Sequence, residues 1–478
     1  MFKKLIISSI VSAWGLSIGT SSPRPNIVLV LIDDMGYGDI AAHGNPLLNT
    51  PNFDRLRAQS LSLDDFLVSP TCSPTRAALM TGMHELHSGV THTISGRNRM
   101  DLDAITLPQV LKRVGYHTAI FGKWHLGIED EAYRPYRRGF DVALNEPSDN
   151  QRSHYDPVLI RNGVEEQHTG YRTDVFFNEA MEYIEDRIQG ENSGEPFFCY
   201  LATFTPHSPR IVPSKYTEPY IGKSGYPEYH GMVANVDENL GRLIAKLDAL
   251  DIADDTILIV MGDNGGTFGI DTWNAGMRGA KGNAYLGAVR TFSFWRWVGQ
   301  IEPSVSKQLT AHHDVLPTLA AVTGIELERT HSNKLEGHDL SPLFKEDSTN
   351  WSGRDRMVIH HATRYPESKS AEHKYVKAGV RWGKYHLLRQ VPCTNPHCGE
   401  ELRTSICRNS HRRLLDPEMA GFYADKWHYE LTALDRWALY DLESDPSEER
   451  DMAEDRPEIV ARMSEYFEAW WRRNGFGR

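Results

Sequence analysis

The feature that most constrains the fold is a series of short apolar runs that each end in polar or charged residues. The first run, Asn26–Ile32, is followed directly by Asp33 and Asp34. Unbroken apolar runs are typical of strands buried on both faces of a parallel sheet. Helical periodicity separates the runs, as at residues 175–188 and 232–250. The alternation predicts an α/β chain with a large doubly wound mixed, mostly parallel sheet and helices on both faces.

Several polar side chains follow the predicted strands directly. The carboxyl ends of the strands in such a sheet meet at its ligand-binding edge, so we expect these side chains to converge although they are distant in sequence. Each one alone is also explained as a turn residue, because Asp and Asn are common in turns. A set that combines acids, bases and an amide indicates a site. Its members are Asp33, Asp34, Lys123, His125, His207, Asp263 and Asn264.

The oxygen-bearing members of this set predict a site for a hard cation. Carboxylate and amide oxygens suit Ca²⁺ or Mg²⁺ better than a thiophilic metal. The expected ligands are Asp33, Asp34, Asp263 and Asn264. Several positive side chains are expected beside them, namely Arg76, Lys123, His125, His207 and Lys281. Positive groups beside a cation indicate that a strongly anionic ligand binds between them, although Lys281 alone fits a flexible surface loop equally well.

A cysteine precedes a predicted short helix in the segment 69–82. Pro74 suits a first helical turn, the run from Ala77 to Met80 favours a helix, and Gly82 can end it. Cys72 is then expected near the N-cap, where backbone N–H groups favour an anion, with Arg76 one turn further on. A buried cysteine followed by an ordinary helix explains this segment equally well.

Length and charge limit the domain organisation and the partners. A chain of 478 residues exceeds the size of a single core, so two domains are expected. The net charge of −12 argues against nucleic acid as the main partner.

Residues 1–20 predict a secretion signal and hence export to the periplasm or the medium, the alternatives being a membrane anchor or a buried strand. No other stretch is long enough to cross a bilayer, so stable membrane insertion is not expected.

Three cysteines cluster near the C-terminus in a region that is rich in polar and turn residues. They are Cys393, Cys398 and Cys407. In an oxidising compartment one disulfide can form among them. Their spacing is a poor match to a zinc site, which remains the less favoured alternative. We expect residues 393–413 to be either an insertion that reaches the predicted site or a loop with no part in it.

At these motifs the sequence resembles the formylglycine-dependent (type I) sulfatases of the alkaline phosphatase superfamily, including secreted bacterial polysaccharide sulfatases. The segments that carry the resemblance are residues 72–76 with 79–82, 122–127, 51–56, 138–141, 206–207, 262–265, and 440–442 with 445–446. Two departures stand out. Thr75 replaces the usual serine and keeps the hydroxyl, and residues 285–290 lack the usual Glu-Gly-Gly, which affects the expected loop shape.

The resemblance implies a catalytic domain over residues 21–350 and a smaller α+β domain over 351–478 with a short antiparallel sheet. It also implies that Cys72 is oxidised to formylglycine by a formylglycine-generating or anaerobic sulfatase-maturing enzyme. The hydrated aldehyde, held on one Ca²⁺, would attack sulfur, and its second hydroxyl would later expel sulfate. The implied ligands of Ca²⁺ are Asp33, Asp34, Asp263, Asn264 and the modified residue 72.

The resemblance further implies a role for each positive side chain. Arg76 and Lys123 would hold the diol and sulfate oxygens. His125 would assist the elimination of sulfate, and His207 would protonate the leaving alcohol. Lys281 would contact the sulfate or the bridging oxygen. The division of work between the two histidines is less firmly implied than their presence in the site.

The expected substrate is a sulfated carbohydrate, such as an algal polysaccharide, a glycosaminoglycan or their oligosaccharides. Residues 92–99, 154–155, 312–313 and 360–361 are candidates for a sugar pocket because they are rich in His, Arg and aromatic side chains. Three alternatives stay open: an arylsulfatase acting on small esters, a phosphoesterase or phosphonate hydrolase of the same superfamily, and a non-catalytic protein that binds sulfated glycans.

Overall fold

The structure is a computed structural model, and it describes residues 24–93, 97–148, 153–191, 193–327, 334–345, 351–361, 374–389 and 436–474. The predicted signal at residues 1–20 and the three clustered cysteines lie outside these ranges and stay predictions. Within these ranges, no helix combines the length and the apolar character that a bilayer crossing requires.

Strands and helices alternate along most of the chain, as the sequence predicts. The strands are β1 (Asn26–Ile32), β2 (Leu61–Leu63), β3 (Phe66–Leu67), β4 (His117–Gly122), β5 (Val142–Asn145), β6 (Val158–Arg161), β7 (Val164–Gln167), β8 (Phe197–Ala202), β9 (Thr256–Gly262), β10 (Arg290–Thr291), β11 (Ser293–Arg296), β12 (Ser304–Ser306), β13 (Thr310–Ala311), β14 (Met357–His361), β15 (Ala378–Trp382), β16 (Tyr385–Arg389) and β17 (Ala438–Asp441). The helices are α1 (Pro51–Ala58), α2 (Cys72–Thr81), α3 (Leu107–Lys112), α4 (Arg172–Gln189), α5 (Ser214–Thr217), α6 (Pro227–Ala249), α7 (Leu286–Val289), α8 (Val315–Thr323) and α9 (Pro457–Arg473).

The large sheet has ten strands in the order β12-β2-β11-β9-β1-β8-β4-β5-β6-β7. Its centre, from β9 to β5, is parallel throughout, and antiparallel strands lie towards both edges. A three-stranded sheet, β10-β3-β13, accompanies it. The predicted mixed, mostly parallel sheet is therefore confirmed.

Side chains of β1 alternate between two cores, one on each face of the sheet. Ile27, Leu29 and Leu31 pack with apolar residues of α2, α3 and α8. The intervening residues Val28, Val30 and Ile32 pack with α1, α4 and α6. Burial on both faces explains why this strand reads as one unbroken apolar run.

A second, antiparallel sheet lies near the C-terminus with the order β14-β15-β16-β17. Helix α9 covers it, and Met463, Phe467, Trp470 and Trp471 pack on its apolar face. The predicted smaller C-terminal α+β unit with a short antiparallel sheet is therefore confirmed, whereas the boundary at residue 350 stays a prediction. The indole Nε1 of Trp470 donates to Glu336 Oε1 over 2.6 Å, which ties α9 to the segment that follows α8.

We predict that truncating the centre of this C-terminal core destabilises the protein. Phe467 is fully buried, so Phe467→Ala should lower the free energy of unfolding by about 3–5 kcal/mol, because it removes an aromatic side chain and leaves a cavity. Denaturant unfolding followed by tryptophan fluorescence measures the loss. The control is Glu465→Ala on the exposed face of α9, expected to change stability by less than about 0.5 kcal/mol. Equal losses for both variants would contradict the packing.

Candidate functional site

The strand register explains why distant acidic residues meet at one place. Ile32 of β1 is paired with Gly262 of β9, so the residues that follow, Asp33 and Asp263, leave the sheet side by side. The backbone N–H of Asp34 donates to Asp263 Oδ1 over 3.1 Å. Strands β8 and β4 end at the same level, since Ala202 is paired with both Leu31 and Gly122. The carboxyl edge of the sheet thus gathers the residues that were predicted to converge.

Asp34 occupies an unusual backbone conformation that the surrounding residues stabilise. Its φ angle is +68°, in the left-handed region where Asp is better tolerated than most residues. Its carbonyl oxygen accepts hydrogen bonds from the hydroxyl of Tyr229 at 3.0 Å and from that of Thr267 at 3.1 Å. The chain therefore turns sharply after β1 and directs two successive carboxylates into the same site.

Cys72 lies among these carboxylates as the first residue of α2. The N-cap is Thr71, and the helix ends at Gly82, which has φ +68°, as the sequence predicts. The Cys72 thiol is buried, and burial raises its pKa to about 12. Lys281 Nζ lies 3.0 Å from Cys72 Sγ.

Each of the three buried cations is paired with a different carboxylate. The guanidinium of Arg76 donates to Asp263 Oδ2 from Nη2 at 2.8 Å and from Nε at 3.2 Å. Lys123 Nζ is 2.5 Å from Asp33 Oδ2, and Lys281 Nζ donates to Asp34 Oδ1. Arg76 also donates from Nη1 to the carbonyl oxygen of Lys123 over 2.7 Å. The pairing compensates for charges that would be very costly to bury alone.

These pairs set the ionisation of the acidic residues. Burial by itself would raise the pKa of Asp33, but Lys123, His207, Arg76 and Lys281 together hold it well below its usual range. At Asp34, burial also acts to raise the pKa, but Lys281 and His207 act against it. The pKa of Asp34 is therefore lowered as well. Burial and the neighbouring Asp33 raise the pKa of Asp263 to about 7. A cation bound among the three would favour the charged form of each.

The donor atoms fit a bound cation. One ligand atom each from Asp33, Asp34, Cys72 and Asp263 lies within 4.8 Å of the others. Two oxygens at this place, Asp33 Oδ1 and Asn264 Oδ1, are buried and have no hydrogen-bond partner among the described residues. Buried oxygens without a donor are costly, and a hard cation satisfies them. The set can therefore hold Ca²⁺ or Mg²⁺.

Two histidines, His207 and His125, lie near the acidic residues and the lysines of the site. His207 Nε2 lies 3.9 Å from Asp34 Oδ2, and its Nδ1 contacts the carbonyl oxygen of Ser208 at 2.7 Å. Burial lowers the pKa of His207 to about 4, although Asp34 opposes this shift. His125 contacts the carbonyl oxygen of Thr93 through Nε2 at 2.8 Å, and burial together with Lys123 holds its pKa well below the usual range. These shifts favour the neutral form of both imidazoles at neutral pH.

The C-terminal unit holds the loop that carries Lys281. The carboxylate of Glu448 accepts the backbone N–H of Leu286 at 2.7 Å and contacts His386 Nδ1 at 2.7 Å. Arg278 Nη1 donates to the Glu448 carbonyl oxygen over 2.6 Å, and Lys377 Nζ donates to the Gly282 carbonyl oxygen over 2.8 Å. These contacts fix the loop on both sides of Lys281.

The structure therefore brings the predicted site residues together at one edge of the sheet. It does not place the histidines of 312–313 and 360–361 on an open surface. All four are at most 5% exposed and contact protein groups. His312, for example, contacts Ser69 and the carbonyl oxygen of Leu67, and His360 contacts His386. They support neighbouring segments instead of facing a sugar.

The sequence patterns did not indicate Glu448 and Arg278 as parts of the site's support. Glu448 and Leu286 are 162 positions apart, and no local motif marks their contact. The Tyr229 and Thr267 hydroxyls that hold the Asp34 carbonyl were missed for the same reason. Only the fold reveals such contacts.

Known proteins resemble this chain in sequence and in fold. The Sulfatase family model matches residues 25–325. Arylsulfatase A of Bos taurus is 31% identical over 421 residues, which covers 79% of this chain and 77% of that protein. N-acetylgalactosamine-6-sulfatase of Sus scrofa is 30% identical over 369 residues, covering 70% and 69%.

A solved structure extends the similarity over almost the whole fold. The crystal structure of Ps i-CgsB in complex with k-i-k-neocarrahexaose aligns with a TM-score of 0.76 and 24% identity, covering 95% of this chain and 98% of that one. The family match, residues 25–325, spans the strands of the large sheet from β1 to β12. The chain belongs to the sulfatase family, whose members are sulfuric ester hydrolases.

Proposed function

We propose that the protein removes sulfate from a sulfated carbohydrate, a polysaccharide or its oligosaccharides, after export from the cell. The observation that carries the proposal is the placement of Cys72 at a helix start, among the carboxylates and 3.0 Å from Lys281. Relatives named for a sulfated sugar and a structural neighbour solved in complex with k-i-k-neocarrahexaose support this substrate class. The predicted secretion signal supports export, since polysaccharides are met outside the cell.

We further propose that Cys72 is converted to formylglycine by a maturing enzyme. The encoded thiol is a poor nucleophile here, because burial raises its pKa to about 12. A hydrated aldehyde at the same place offers two hydroxyl groups, one to attack sulfur and one to expel sulfate afterwards. Lys281 already contacts the side chain of residue 72 and would contact an oxygen there.

Asp33, Asp34, Asp263, Asn264 and the modified residue 72 would hold one Ca²⁺. When bound, Ca²⁺ supplies positive charge that lowers the pKa of the attacking hydroxyl and offsets the charge of the sulfate. Lys123 and Lys281 would orient the sulfate oxygens. Arg76 donates to Asp263 and to the carbonyl oxygen of Lys123. It would therefore hold both the metal ligand Asp263 and Lys123 in place.

His207 is the residue we propose as the proton donor to the leaving alcohol. Its side chain is 26% accessible, more than that of Asp34, Lys123 or Lys281, so a sugar can reach it. The neutral imidazole becomes the charged form when an anionic sulfate binds beside it, because a nearby negative charge raises its pKa. His125 would take the proton that drives the later elimination.

The first prediction from this proposal concerns Cys72. Cys72→Ala should reduce sulfate release by several orders of magnitude, because the nucleophile is lost. The matched control is Cys199→Ala, which removes a second buried thiol from β8 and should keep activity. Mass spectrometry of the Cys72 peptide from the native host should show an aldehyde instead of a thiol.

An unmodified thiol in all molecules would overturn the formylglycine proposal and favour a non-catalytic glycan-binding protein. Matched sulfate and phosphate esters of one alcohol separate a sulfatase from a phosphoesterase. Preferred release of phosphate would contradict the proposed function.

The second prediction separates the roles of the histidines by the leaving group. A sugar alkoxide needs a proton, whereas a nitrophenolate leaves without one. His207→Ala should therefore reduce sulfate release from sulfated sugars by about 10²–10⁴-fold but impair 4-nitrophenyl sulfate much less. His125→Ala, the matched variant, should impair both substrates to a similar extent, because the elimination step is common to them. Equal loss on both substrates in His207→Ala would contradict its role.

The third prediction concerns the cation. Adding Ca²⁺ to protein treated with a chelator should raise the melting temperature, because a ligand that binds only the folded state stabilises it. Asp263→Asn should abolish the shift, whereas the surface variant Asp254→Asn should keep it. Calorimetric titration with Ca²⁺ provides a second readout that is independent of activity. A wild-type protein that binds no Ca²⁺ would contradict the assignment of these ligands.

A further inference from the structure

Arg210 follows the site residue His207 closely in the sequence. Its guanidinium has no carboxylate partner among the described residues. Arg76, Lys123 and Lys281 each have one. Arg210 Nε and Nη1 are buried, yet neither has a hydrogen-bond partner in the part of the chain that the structure describes. A buried guanidinium nitrogen without an acceptor is unfavourable, and a charge without a counter-charge adds to that cost. An anionic ligand beside Arg210 would compensate the charge.

Two aromatic rings fix the position of the guanidinium. Its central carbon lies 4.2 Å from the ring centre of Phe268 and 5.1 Å from that of Tyr226. The two rings also contact each other, with their centres 5.1 Å apart. Stacking of this kind orients the planar group, and Nη2, which is not among its buried nitrogens, is the atom that can donate to an oxyanion. The group is therefore preorganised although no acid holds it.

Arg210 is connected to the site at two points, through His207 in the sequence and through Phe268 in the fold. It follows His207 by three residues, a stretch that spans at most about 11 Å of backbone. On the other side, Phe268 packs on Tyr229 with ring centres 6.0 Å apart, and the Tyr229 hydroxyl binds the carbonyl oxygen of Asp34. Phe268 also directly follows Thr267, which binds that same carbonyl. Arg210 is thus close in sequence to the proposed proton donor and is linked through Phe268 to the residues that hold the Asp34 carbonyl.

The residue is also accessible to a ligand. Arg210 is partly exposed, unlike the fully buried Arg76. Because the positive charge is delocalised over three nitrogens, an anion beside Nη2 compensates the charge of the whole group. An oxygen of a sulfate or a carboxylate can accept a charge-assisted hydrogen bond there.

We propose that Arg210 binds a second oxyanion of the substrate, a sulfate or carboxylate on the same sugar chain as the ester that is hydrolysed. This inference rests on the proposed function and narrows its substrate class to sugars that carry an anionic group besides the scissile sulfate. Arg210 is then a specificity residue. Its contact with the second oxyanion favours doubly charged substrates over singly charged ones.

The test compares matched sugars that differ by one anionic group. The sulfate arm uses neocarrabiose monosulfate and neocarrabiose disulfate. The carboxylate arm uses N-acetylgalactosamine 6-sulfate alone and the same sugar joined to a uronic acid. The wild type should prefer the doubly charged member of at least one arm. Arg210→Gln keeps a planar group over the rings but no charge, and it should reduce that preference in kcat/KM by about tenfold or more, mainly through KM.

Two further variants separate charge recognition from a structural role. Arg210→Lys keeps the charge and should restore part of the preference. Arg55→Gln, an exposed arginine of α1, should leave it unchanged. Turnover of 4-nitrophenyl sulfate should be similar in all variants, since this ester has no second anion. An equal loss on every substrate would show that Arg210 only supports the fold and would overturn the inference.

The remaining outcomes also test the inference. Wild-type sulfate release without preference in either arm, or a preference that survives in Arg210→Gln, would overturn the inference while leaving the proposed function intact. Failure of the wild type to release sulfate from any of the four sugars would contradict the proposed function itself and the inference with it. The arm that shows the preference identifies the second oxyanion as sulfate or carboxylate.

Discussion

Three buried ion pairs hold this site together, and each joins elements that are far apart in the sequence. Arg76 of α2 is bound to Asp263 after β9, Lys123 after β4 to Asp33 after β1, and Lys281 to Asp34. An unpaired charge in such a place is strongly unfavourable, so breaking one pair costs far more than forming it gains. The pairs therefore fix the relative positions of β1, β4, β9, α2 and the Lys281 loop.

The sheet and the ion pairs depend on each other. The parallel register of β1 with β8 and β9 brings the strand ends level, and only then can the carboxylates reach their cations. Two oxygens, Asp33 Oδ1 and Asn264 Oδ1, have no hydrogen-bond donor among the described residues, and the proposed cation would satisfy them. The C-terminal unit supports the same arrangement from outside the large sheet, because Glu448 and Lys377 hold the loop that carries Lys281.

The sequence predicted the parts of the site that follow strands or lie within a compact motif. Asp33 and Asp263 could be placed because strand ends meet at one edge of a parallel sheet, and Cys72 because the helix start around it has a clear local pattern. Glu448 and Arg210 could not be placed, since their roles depend on contacts with residues far away in the chain. The histidine pairs at 312–313 and 360–361 were misleading because histidine composition does not distinguish a buried, bonded imidazole from an exposed one.

The burial of Cys72 has a consequence for the order of events during biosynthesis. Its side chain is 1% exposed, beneath a site that closes only when segments around residues 263, 281 and 448 are in place. A macromolecular catalyst cannot reach a thiol enclosed in this way. The proposed oxidation of Cys72 therefore has to take place while the chain is still unfolded, and the long stretch of sequence after residue 72 delays closure and leaves time for it.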